Sequence, residues 1–217
     1  MKGIIVSSVR NNPEEIINEL REKSGCELIV DFNQEEIKKY SDSINYKGLI
    51  GRDRVAAYLG AETLLPKSSK LIIDAGTAIT LDIADIDGKY CGGNISLGLY
   101  SRMKALSNST CLLPNIENIT MTSDFGNDTA SAIMDGAFNG VVGEILYTIK
   151  LAKRNYNIEW VVLTGGDSEC FFSTVKNAWK NCVFDPDLVG RGLNYHLRKF
   201  YFPETHKESL FIPKFCV

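Results

Sequence analysis

Apolar runs along the chain alternate with segments of helical spacing. The apolar runs predict strands over Gly3–Val9, Glu27–Phe32, Lys70–Asp74, Ile79–Asp85, Lys89–Ile95 and Trp160–Leu163. Helical spacing predicts helices over Pro13–Lys23, Gln34–Tyr40, Ser101–Ser107, Thr129–Arg154, Glu169–Lys180 and Leu188–Phe202. A further helix is predicted around Val55, Ala56 and Leu59, and Asn11 or Asn12 is expected to cap the first helix. Strands mixed with crossover helices, together with an antiparallel meander, predict an α/β fold with a mixed sheet.

The segment LIIDAGTAITLD, residues 71–82, combines two strands with an unusual turn between them. The turn brings a carboxylate at Asp74, a glycine at Gly76 and a hydroxyl at Thr77 close together along the chain. Concave turns of this composition present N–H groups to phosphate oxygens, and the carboxylate can hold a cation or a water molecule. The alternative is an ordinary hairpin in which the aspartate caps its own turn.

A second charged motif, Gly51-Arg52-Asp53-Arg54, stands at the predicted start of a helix. The two arginines could bind an anionic substrate through paired N–H donors. Asp53 could accept the proton of a substrate hydroxyl, as general bases in kinases do. The alternative is a capping aspartate between two solvated arginines, because charged first turns are common.

A third motif, Thr164-Gly165-Gly166-Asp167, directly follows an apolar strand. A double glycine at this position removes side chains where a flat ligand could lie against the backbone. The crevice outside the carboxyl ends of strands is also where open α/β sheets bind ligands. The alternative is a strand-to-helix turn with Asp167 as the helix N-cap.

Small residues recur every four positions along the predicted long helix, at Ala132, Gly136 and Gly140, with Gly143 one turn further on. The first three share one face of the helix. Because an interior glycine costs about 1 kcal/mol relative to alanine, this face indicates close approach of another element. Contact within one subunit and a dimer interface are both compatible with the pattern.

Composition and charge exclude several classes of function. The net charge of -3 comes with Lys and Arg spread along the chain, so a nucleic-acid partner is not expected. No apolar run approaches the ~20 residues of a membrane span, and no apolar signal segment is found at the start. The six cysteines are far apart, which disfavours a metal or redox site and favours a reducing, cytoplasmic location.

Two kinds of chemistry have no support in the sequence. The chain contains neither a P-loop motif nor a glycine-rich dinucleotide fingerprint after a strand. His196 and His206 lie in an aromatic and polar C-terminal region without a nearby nucleophile. Both are interpreted as surface or partly packed histidines rather than catalytic ones.

The order of these motifs resembles that of the type III pantothenate kinases, also called the Baf family. The resemblance rests on Tyr46, GRDR (51–54), IDAGTAITLDI (73–83), YCGGNISLGL (90–99), the helix from Thr129 and VVLTGGD (161–167). It implies an actin-like ATPase fold built from ribonuclease-H-like halves with mixed sheets. It also implies ATP-dependent phosphorylation of pantothenate to 4'-phosphopantothenate, the first step of coenzyme A synthesis. Family members act as homodimers with Mg-ATP and a monovalent cation.

The resemblance also implies roles for individual residues. Asp53 matches the general base, and the implied pantothenate contacts are Tyr46, Gly51, Arg52, Arg54 and Thr129. Asp74 matches the aspartate that binds potassium or ammonium. The implied ATP contacts are Gly76, Thr77, Gly165 and Gly166.

The sequence departs from the family pattern in two places. Leu97 stands where the family has a proline before Gly98. The chain also begins at a strand that family members reach only after a phosphate-binding loop with a magnesium-organising aspartate. The prediction is therefore an incomplete N-terminal half over residues 1–69 and a C-terminal half over 70–217. The alternative function is a non-catalytic, pantothenate-binding or regulatory relative that has lost ATP turnover.

Overall fold

The computed structural model describes residues 3–8, 13–116 and 125–206 of the chain. The strands are β1 (Ile4–Val6), β2 (Ile29–Asp31), β3 (Lys70–Ala75), β4 (Ala78–Ala84), β5 (Tyr90–Leu97), β6 (Trp160–Thr164) and β7 (Cys182–Phe184). The helices are α1 (Pro13–Ser24), α2 (Gln34–Lys38), α3 (Arg52–Leu64), α4 (Leu99–Ser109), α5 (Thr129–Tyr156), α6 (Ser168–Ala178), α7 (Leu188–Tyr201) and α8 (Pro203–His206). The mixture of helices and strands is that of an α/β protein.

The chain forms two compact units. Among the described residues, unit 1 comprises 3–8, 13–67, 88–90 and 187–206, and unit 2 comprises 68–87, 91–116 and 125–186. The chain first passes from unit 1 to unit 2 after residue 67, whereas the sequence prediction placed the division between residues 69 and 70. The helix α7, in contrast, belongs to unit 1, although the sequence prediction assigned it to the C-terminal half.

Unit 1 contains a short parallel sheet and a tightly packed helix pair. β1 and β2 pair in parallel, with Ile4 opposite Ile29. The helices α3 and α7 approach so closely that a Cβ at Gly192 would lie 1.8 Å from the carbonyl oxygen of Ala56. A Cβ at Gly60 would likewise lie 2.1 Å from the carbonyl oxygen of Leu188. Glycines on both helices therefore allow backbone-to-backbone packing that any larger residue would prevent.

Unit 2 is built on a mixed sheet with the strand order β5-β4-β3-β6-β7. The central strand β3 pairs antiparallel with β4 and parallel with β6. Because β3 and β6 run in the same direction, the loops that follow them emerge at the same edge of the sheet. This edge carries two of the three motifs that the sequence singled out.

The core of unit 2 lies on the side of the sheet covered by α5. Strand residues such as Leu71, Ile73 and Leu163 pack in one cluster with the α5 residues Val141 and Ile145, and all five are fully buried. The α5 sequence is apolar on this face at helical spacing, which explains why so long a helix is stable in this position.

The predicted elements are largely confirmed, with a few differences. The strand β7 was not predicted, because three residues are too few to establish an alternating pattern. β1 is shorter than the predicted Gly3–Val9, and the end of that range lies outside the described residues, as do Asn11 and Asn12. No helix in the described part of the chain is long and apolar enough to cross a membrane.

The sequence predicted that His196 is a surface or partly packed residue. This prediction is wrong, because the residue is completely buried in unit 1. Its Nδ1 lies 2.9 Å from the Tyr40 hydroxyl, and its Nε2 lies 2.6 Å from Oε2 of Glu36. Burial lowers the pKa of His196, although the neighbouring Glu36 carboxylate opposes that shift. A neutral imidazole that accepts from Tyr40 and donates to Glu36 satisfies both contacts. The side chain of His206 lies outside the described residues.

Candidate active site

The general-base candidate Asp53 lies in the first turn of α3 and is exposed to solvent. The helix is capped by Gly51, which offers no side-chain capping bond. The Asp53 carboxylate turns back over this glycine, since a Cβ at Gly51 would lie 2.5 Å from Oδ1 of Asp53. The absence of a side chain at position 51 therefore leaves room for the carboxylate beside the helix start.

Arg52 is engaged within unit 1. Its Nη1 donates to the carbonyl oxygen of Ser8 at 2.8 Å and to Oδ1 of Asp31 at 3.0 Å. The ion pair joins the start of α3 to the end of β2. The sequence interpretation treated Arg52 as a substrate-binding cation, and the structure gives its guanidinium a structural contact as well.

Arg54 is a buried residue surrounded by aromatic rings. Its Nη2 donates to the Tyr90 hydroxyl at 2.7 Å, and its guanidinium lies over the rings of Tyr46 and Tyr90. Only 4% of Arg54 is exposed, whereas Tyr46 is 38% exposed. Tyr46 therefore presents the accessible side of this cluster, and Arg54 supports it from beneath. The alternative of two solvated arginines does not hold for Arg54.

The turn between β3 and β4 is held by contacts to its backbone. The carbonyl oxygen of Thr77 accepts from the backbone N–H of Gly98 at 3.0 Å and from the hydroxyl of Ser101 at 2.6 Å. A Cβ at Gly98 would lie 1.8 Å from the carbonyl oxygen of Gly76. The start of α4 thus fixes the conformation of the Gly76-Thr77 turn, and a glycine at position 98 is needed for this approach.

The cation-binding candidate Asp74 lies one residue before the end of β3, opposite Thr80 on β4 and Thr164 on β6. Gly165 follows β6 with a φ of 92°, a conformation that favours glycine. A Cβ at Gly165 would lie 2.4 Å from Oδ1 of Asp74 and 2.3 Å from the carbonyl oxygen of Ala75. The structure thus brings the DAGT and TGGD motifs together at one sheet edge.

Asp167 occupies the N-cap position of α6, but its side chain forms no capping hydrogen bond. Its backbone N–H donates to the carbonyl oxygen of Ala75 at 2.9 Å, and burial raises the pKa of its carboxyl group. Asp167 is one wall of a cavity of about 410 Å³. The other residues that line the cavity are Gly76, Thr77, Tyr100, Ser101 and Lys104.

Thr129 is exposed at the first position of α5. The helix start is fixed by Asp128, whose Oδ1 accepts from the backbone N–H groups of Ala130 and Ser131. Hydrogen bonds from the backbone and hydroxyl of Ser131 hold the pKa of Asp128 below its ordinary value. The position of Thr129 at the start of α5 therefore follows from a well-defined helix cap.

The small-residue face of α5 is open. Ala132, Gly136, Gly140 and Gly143 are all exposed. A Cβ at Gly136 or Gly143 would meet nothing within 4 Å, and one at Gly140 would meet only the Arg102 guanidinium. Of the two alternatives left open by the sequence, close contact inside the described part of one subunit does not account for Gly136 and Gly143.

Comparison with known proteins gives a consistent family assignment. The family model for type III pantothenate kinase matches residues 1–151. The type III pantothenate kinase of Thermosipho africanus is 31% identical over 196 residues, which is 89% of this chain and 77% of that protein. The chain belongs to the type III pantothenate kinase family. The Porphyromonas gingivalis and Bacteroides fragilis type III pantothenate kinases are 39% identical over 148 residues and 41% identical over 146 residues, in each case 67% of this chain.

The chain spans about three fifths of the length of the latter two relatives, since the matched segments cover 59% of the P. gingivalis protein and 58% of the B. fragilis protein. Among solved structures, it is similar to a Campylobacter jejuni protein described as a Baf family transcriptional activator. That match has a TM-score of 0.60, 22% identity, and coverage of 92% of this chain and 83% of that one. The apo psk41 parM protein matches with a TM-score of 0.53, 12% identity, and coverage of 91% and 71%. These likenesses confirm the predicted actin-like ATPase fold of this family member.

Sequence reasoning missed several residues of the cavity, namely Tyr100, Ser101 and Lys104. Tyr100 and Lys104 are four residues apart on α4 and therefore share a face, which is the signal that could have found them. Among the described residues, no group of three or more His, Cys, Asp or Glu side chains is arranged to hold a metal ion.

Proposed function

We propose that the chain is a kinase that transfers the γ-phosphoryl group of ATP to the primary hydroxyl of pantothenate, forming 4'-phosphopantothenate for coenzyme A synthesis. Membership of the type III pantothenate kinase family carries the proposal. The exposed carboxylate of Asp53 at the start of α3 supports it, because a general base must be reachable by its substrate.

The chemistry is an in-line displacement. Asp53 takes the proton of the pantothenate hydroxyl, whose oxygen forms a bond to the γ-phosphorus. The bond between that phosphorus and the β–γ bridging oxygen breaks, and ADP leaves. Contacts to pantothenate come from Tyr46, Gly51, Arg52, Arg54 and Thr129. Arg54 also lies over the ring of Tyr46, so we assign it the positioning of this tyrosine in addition to its own contact with pantothenate.

The nucleotide contacts come from the backbone of the two loops at the sheet edge of unit 2, with Gly76, Thr77, Gly165 and Gly166 as the contacting residues. Their composition fits a phosphate site, because small residues leave backbone N–H groups accessible and these groups bind phosphate oxygens. Asp74, with nearby backbone oxygens, fits a monovalent cation (K⁺ or NH₄⁺), which would neutralise phosphate charge. Mg²⁺ enters with the nucleotide, because it is commonly held by phosphates and few protein ligands.

A homodimer is part of the proposal. The open face of α5, with Gly136 and Gly143 exposed to space, fits close packing against a second copy. Analytical ultracentrifugation of the chain and of a Gly136→Leu variant tests this point. A dimer that the leucine converts to a monomer supports the assignment, and a monomer at all concentrations contradicts it. The cytoplasmic location stays a prediction.

The central test is the Asp53→Asn variant, which keeps the shape of the side chain and removes its basicity. We expect kcat to fall by about 10²-fold to 10⁴-fold, as is typical on loss of a general base. The midpoint of urea unfolding should hardly change, since Asp53 is exposed. Asp42→Asn, an exposed aspartate in the same unit, is the matched control and should keep full activity. An Asp53→Asn protein with unchanged kcat would remove the general-base assignment.

Pantothenate-dependent ADP release, followed together with pantothenate binding, separates the kinase from a non-catalytic relative. A folded chain that binds pantothenate and releases ADP supports the kinase. A folded chain that binds pantothenate but never forms ADP overturns it in favour of a binding or regulatory protein.

A further inference from the structure

The cavity in unit 2 has walls of different chemical character. Tyr100 and Lys104 lie on one face of α4, and the Gly76-Thr77 turn forms a backbone wall. Asp167 supplies a carboxylate on a third side. The volume of about 410 Å³ lies within the range of small-molecule sites.

The conformation of this cavity is set by contacts that do not use the side chains of Tyr100, Lys104 and Asp167. Ser101 is bonded to the carbonyl oxygen of Thr77, and α4 is fixed further by Arg102, which contacts Glu144 on α5 and the carbonyl oxygen of Leu97. Tyr100 is 47% exposed, so its ring offers a flat apolar surface to a ligand. The walls are therefore preformed, which favours binding without a large ordering cost.

Asp167 has the features of a group that accepts hydrogen bonds from a ligand. Its side chain does not cap α6, although it stands at the N-cap position. It is partly withdrawn from water, and this burial raises the pKa of its carboxyl group. A partly desolvated carboxylate binds a hydroxyl donor more strongly than an exposed one does.

Charge decides which part of a nucleotide can lie beside Asp167. A carboxylate repels phosphate oxygens, whereas it accepts hydrogen bonds from hydroxyl groups. The hydroxyl donors of a nucleotide are on its ribose, and carboxylates bind ribose hydroxyls in other nucleotide sites. The phosphates are accommodated better by the glycine-containing turn and by Lys104.

We propose that Asp167 accepts a hydrogen bond from a ribose hydroxyl of the nucleotide, with the base against Tyr100, and thereby selects ribonucleotides over nucleotides that lack these hydroxyls. The inference rests on the proposed function for the presence of a nucleotide, and it adds a specificity-determining residue to that site. It requires only binding, with no phosphoryl transfer.

The test compares Mg-ADP with Mg-2',3'-dideoxyADP by isothermal titration calorimetry on the full chain. The unsubstituted protein should bind ADP about 10-fold to 100-fold more tightly, the ratio expected for a hydroxyl bonded to a charged acceptor. In Asp167→Ala the ratio should fall to near one, mainly through weaker ADP binding. Asp167→Asn should be intermediate, because its amide oxygen still accepts a hydrogen bond. Asp87→Ala, an exposed aspartate in the β4–β5 turn, is the control and should keep the full ratio.

The outcomes separate this inference from the proposed function. Equal affinity of the unsubstituted protein for the two nucleotides overturns the ribose contact and leaves the kinase proposal standing. A ratio that persists in Asp167→Ala also overturns it, since another residue would then bind the hydroxyls. No ADP binding at all, with pantothenate present or absent, overturns the nucleotide site and this inference together. The two affinities of the unsubstituted protein, for ADP and for 2',3'-dideoxyADP, already test the ribose contact. The inference can therefore be tested even if a variant folds poorly.

Discussion

The surroundings of Asp53 and the turn between β3 and β4 are built by opposite means. Around Asp53, long side chains carry the structure, as Arg52 pairs with Asp31 and Arg54 stacks with aromatic rings. At the β3–β4 turn, the contacts are made to the backbone, since the carbonyl oxygen of Thr77 accepts hydrogen bonds from the backbone N–H of Gly98 and from the Ser101 hydroxyl. One candidate site thus depends on long side chains, and the other depends mainly on the absence of a side chain at Gly98.

This contrast predicts which substitutions should destabilise each region. Where backbones approach closely, adding one methyl group forces atoms apart, and a packed interior cannot absorb this easily. Where guanidinium groups are held by several partners, shortening or neutralising the side chain leaves those partners unsatisfied. The following predictions test this difference, beginning with the largest effect.

Gly98→Ala should be the most damaging single change at the β3–β4 turn. Its Cβ would lie 1.8 Å from the carbonyl oxygen of Gly76, so the turn or the start of α4 must move. We expect a loss of about 3 kcal/mol in the free energy of unfolding of unit 2. Both tryptophans, Trp160 and Trp179, lie in unit 2, so their fluorescence in urea reports this unit.

Gly136→Ala is the matched control, because a Cβ there meets nothing within 4 Å in the same unit. Alanine in place of a helical glycine should raise the stability of the free subunit by up to about 1 kcal/mol. If Gly98→Ala unfolded at the same urea concentration as the unsubstituted chain, the backbone account of the turn would be wrong.

Arg54→Met and Arg52→Met should differ although the two arginines flank the same aspartate. Arg54→Met removes the hydrogen bond that the buried guanidinium donates to the Tyr90 hydroxyl, and we expect a cost of about 2 kcal/mol. Removing Arg52 breaks a partly exposed ion pair with Asp31, for which about 1 kcal/mol is expected. Hydrogen–deuterium exchange measured by mass spectrometry on α3 peptides resolves the two effects within unit 1.

Arg52→Met should in addition raise the KM for pantothenate if its guanidinium also contacts substrate. Equal protection of α3 in the two variants would contradict the distinction between a buried and a partly exposed arginine. A fall in kcat without any change in protection for Arg54→Met would instead indicate a direct catalytic contact.

The stability of unit 1 should fall on mild acidification because of His196. Burial lowers its pKa below the ordinary value of 6.5, against the opposing charge of Glu36. Below about pH 6.5, His196 therefore takes up a proton in the unfolded chain but not in the folded chain. The folded state loses stability as the pH falls from about 6.5 toward the lower pKa of His196 in the folded chain. Exchange of α7 peptides at pH 7.5 and 5.5, corrected for the intrinsic rate, measures this change.

The control for this pH effect is His196→Gln, which should be less stable at both pH values but show a smaller difference between them. Titration of Glu36 does not contribute to the difference in stability between pH 7.5 and pH 5.5. Burial raises the pKa of Glu36, but hydrogen bonds from Lys39, Tyr201 and His196 outweigh burial and hold the pKa below its ordinary value of 4.5. The contribution of Glu36 to the stability of the folded state is therefore lost only at a pH below 4.5. The charges of Lys39 and Lys199, which face His196, lower the pKa of His196 further. An unchanged pH difference in the glutamine variant would show that other groups are responsible.

Much of the fold could be predicted because its elements have strong local patterns. The strands β3, β4 and β6 and the helix α5 combine apolar periodicity with turn residues at their ends. The motifs around Asp53 and Asp74 could be located because charged residues and glycines stand beside these elements. The three residues of β7 and the membership of α7 in unit 1 could not be predicted, since both depend on pairing between distant segments.

The sequence by itself determined the order of the elements, the family and the positions of the candidate residues along the chain. Only the tertiary structure decided that Arg54 is buried beneath Tyr46, that His196 is enclosed by Tyr40 and Glu36, and that Asp167 lines a cavity with Tyr100. The physical reason is that periodicity and turn chemistry act over a few residues. Burial and charge environment, in contrast, depend on segments that meet only when the chain has folded.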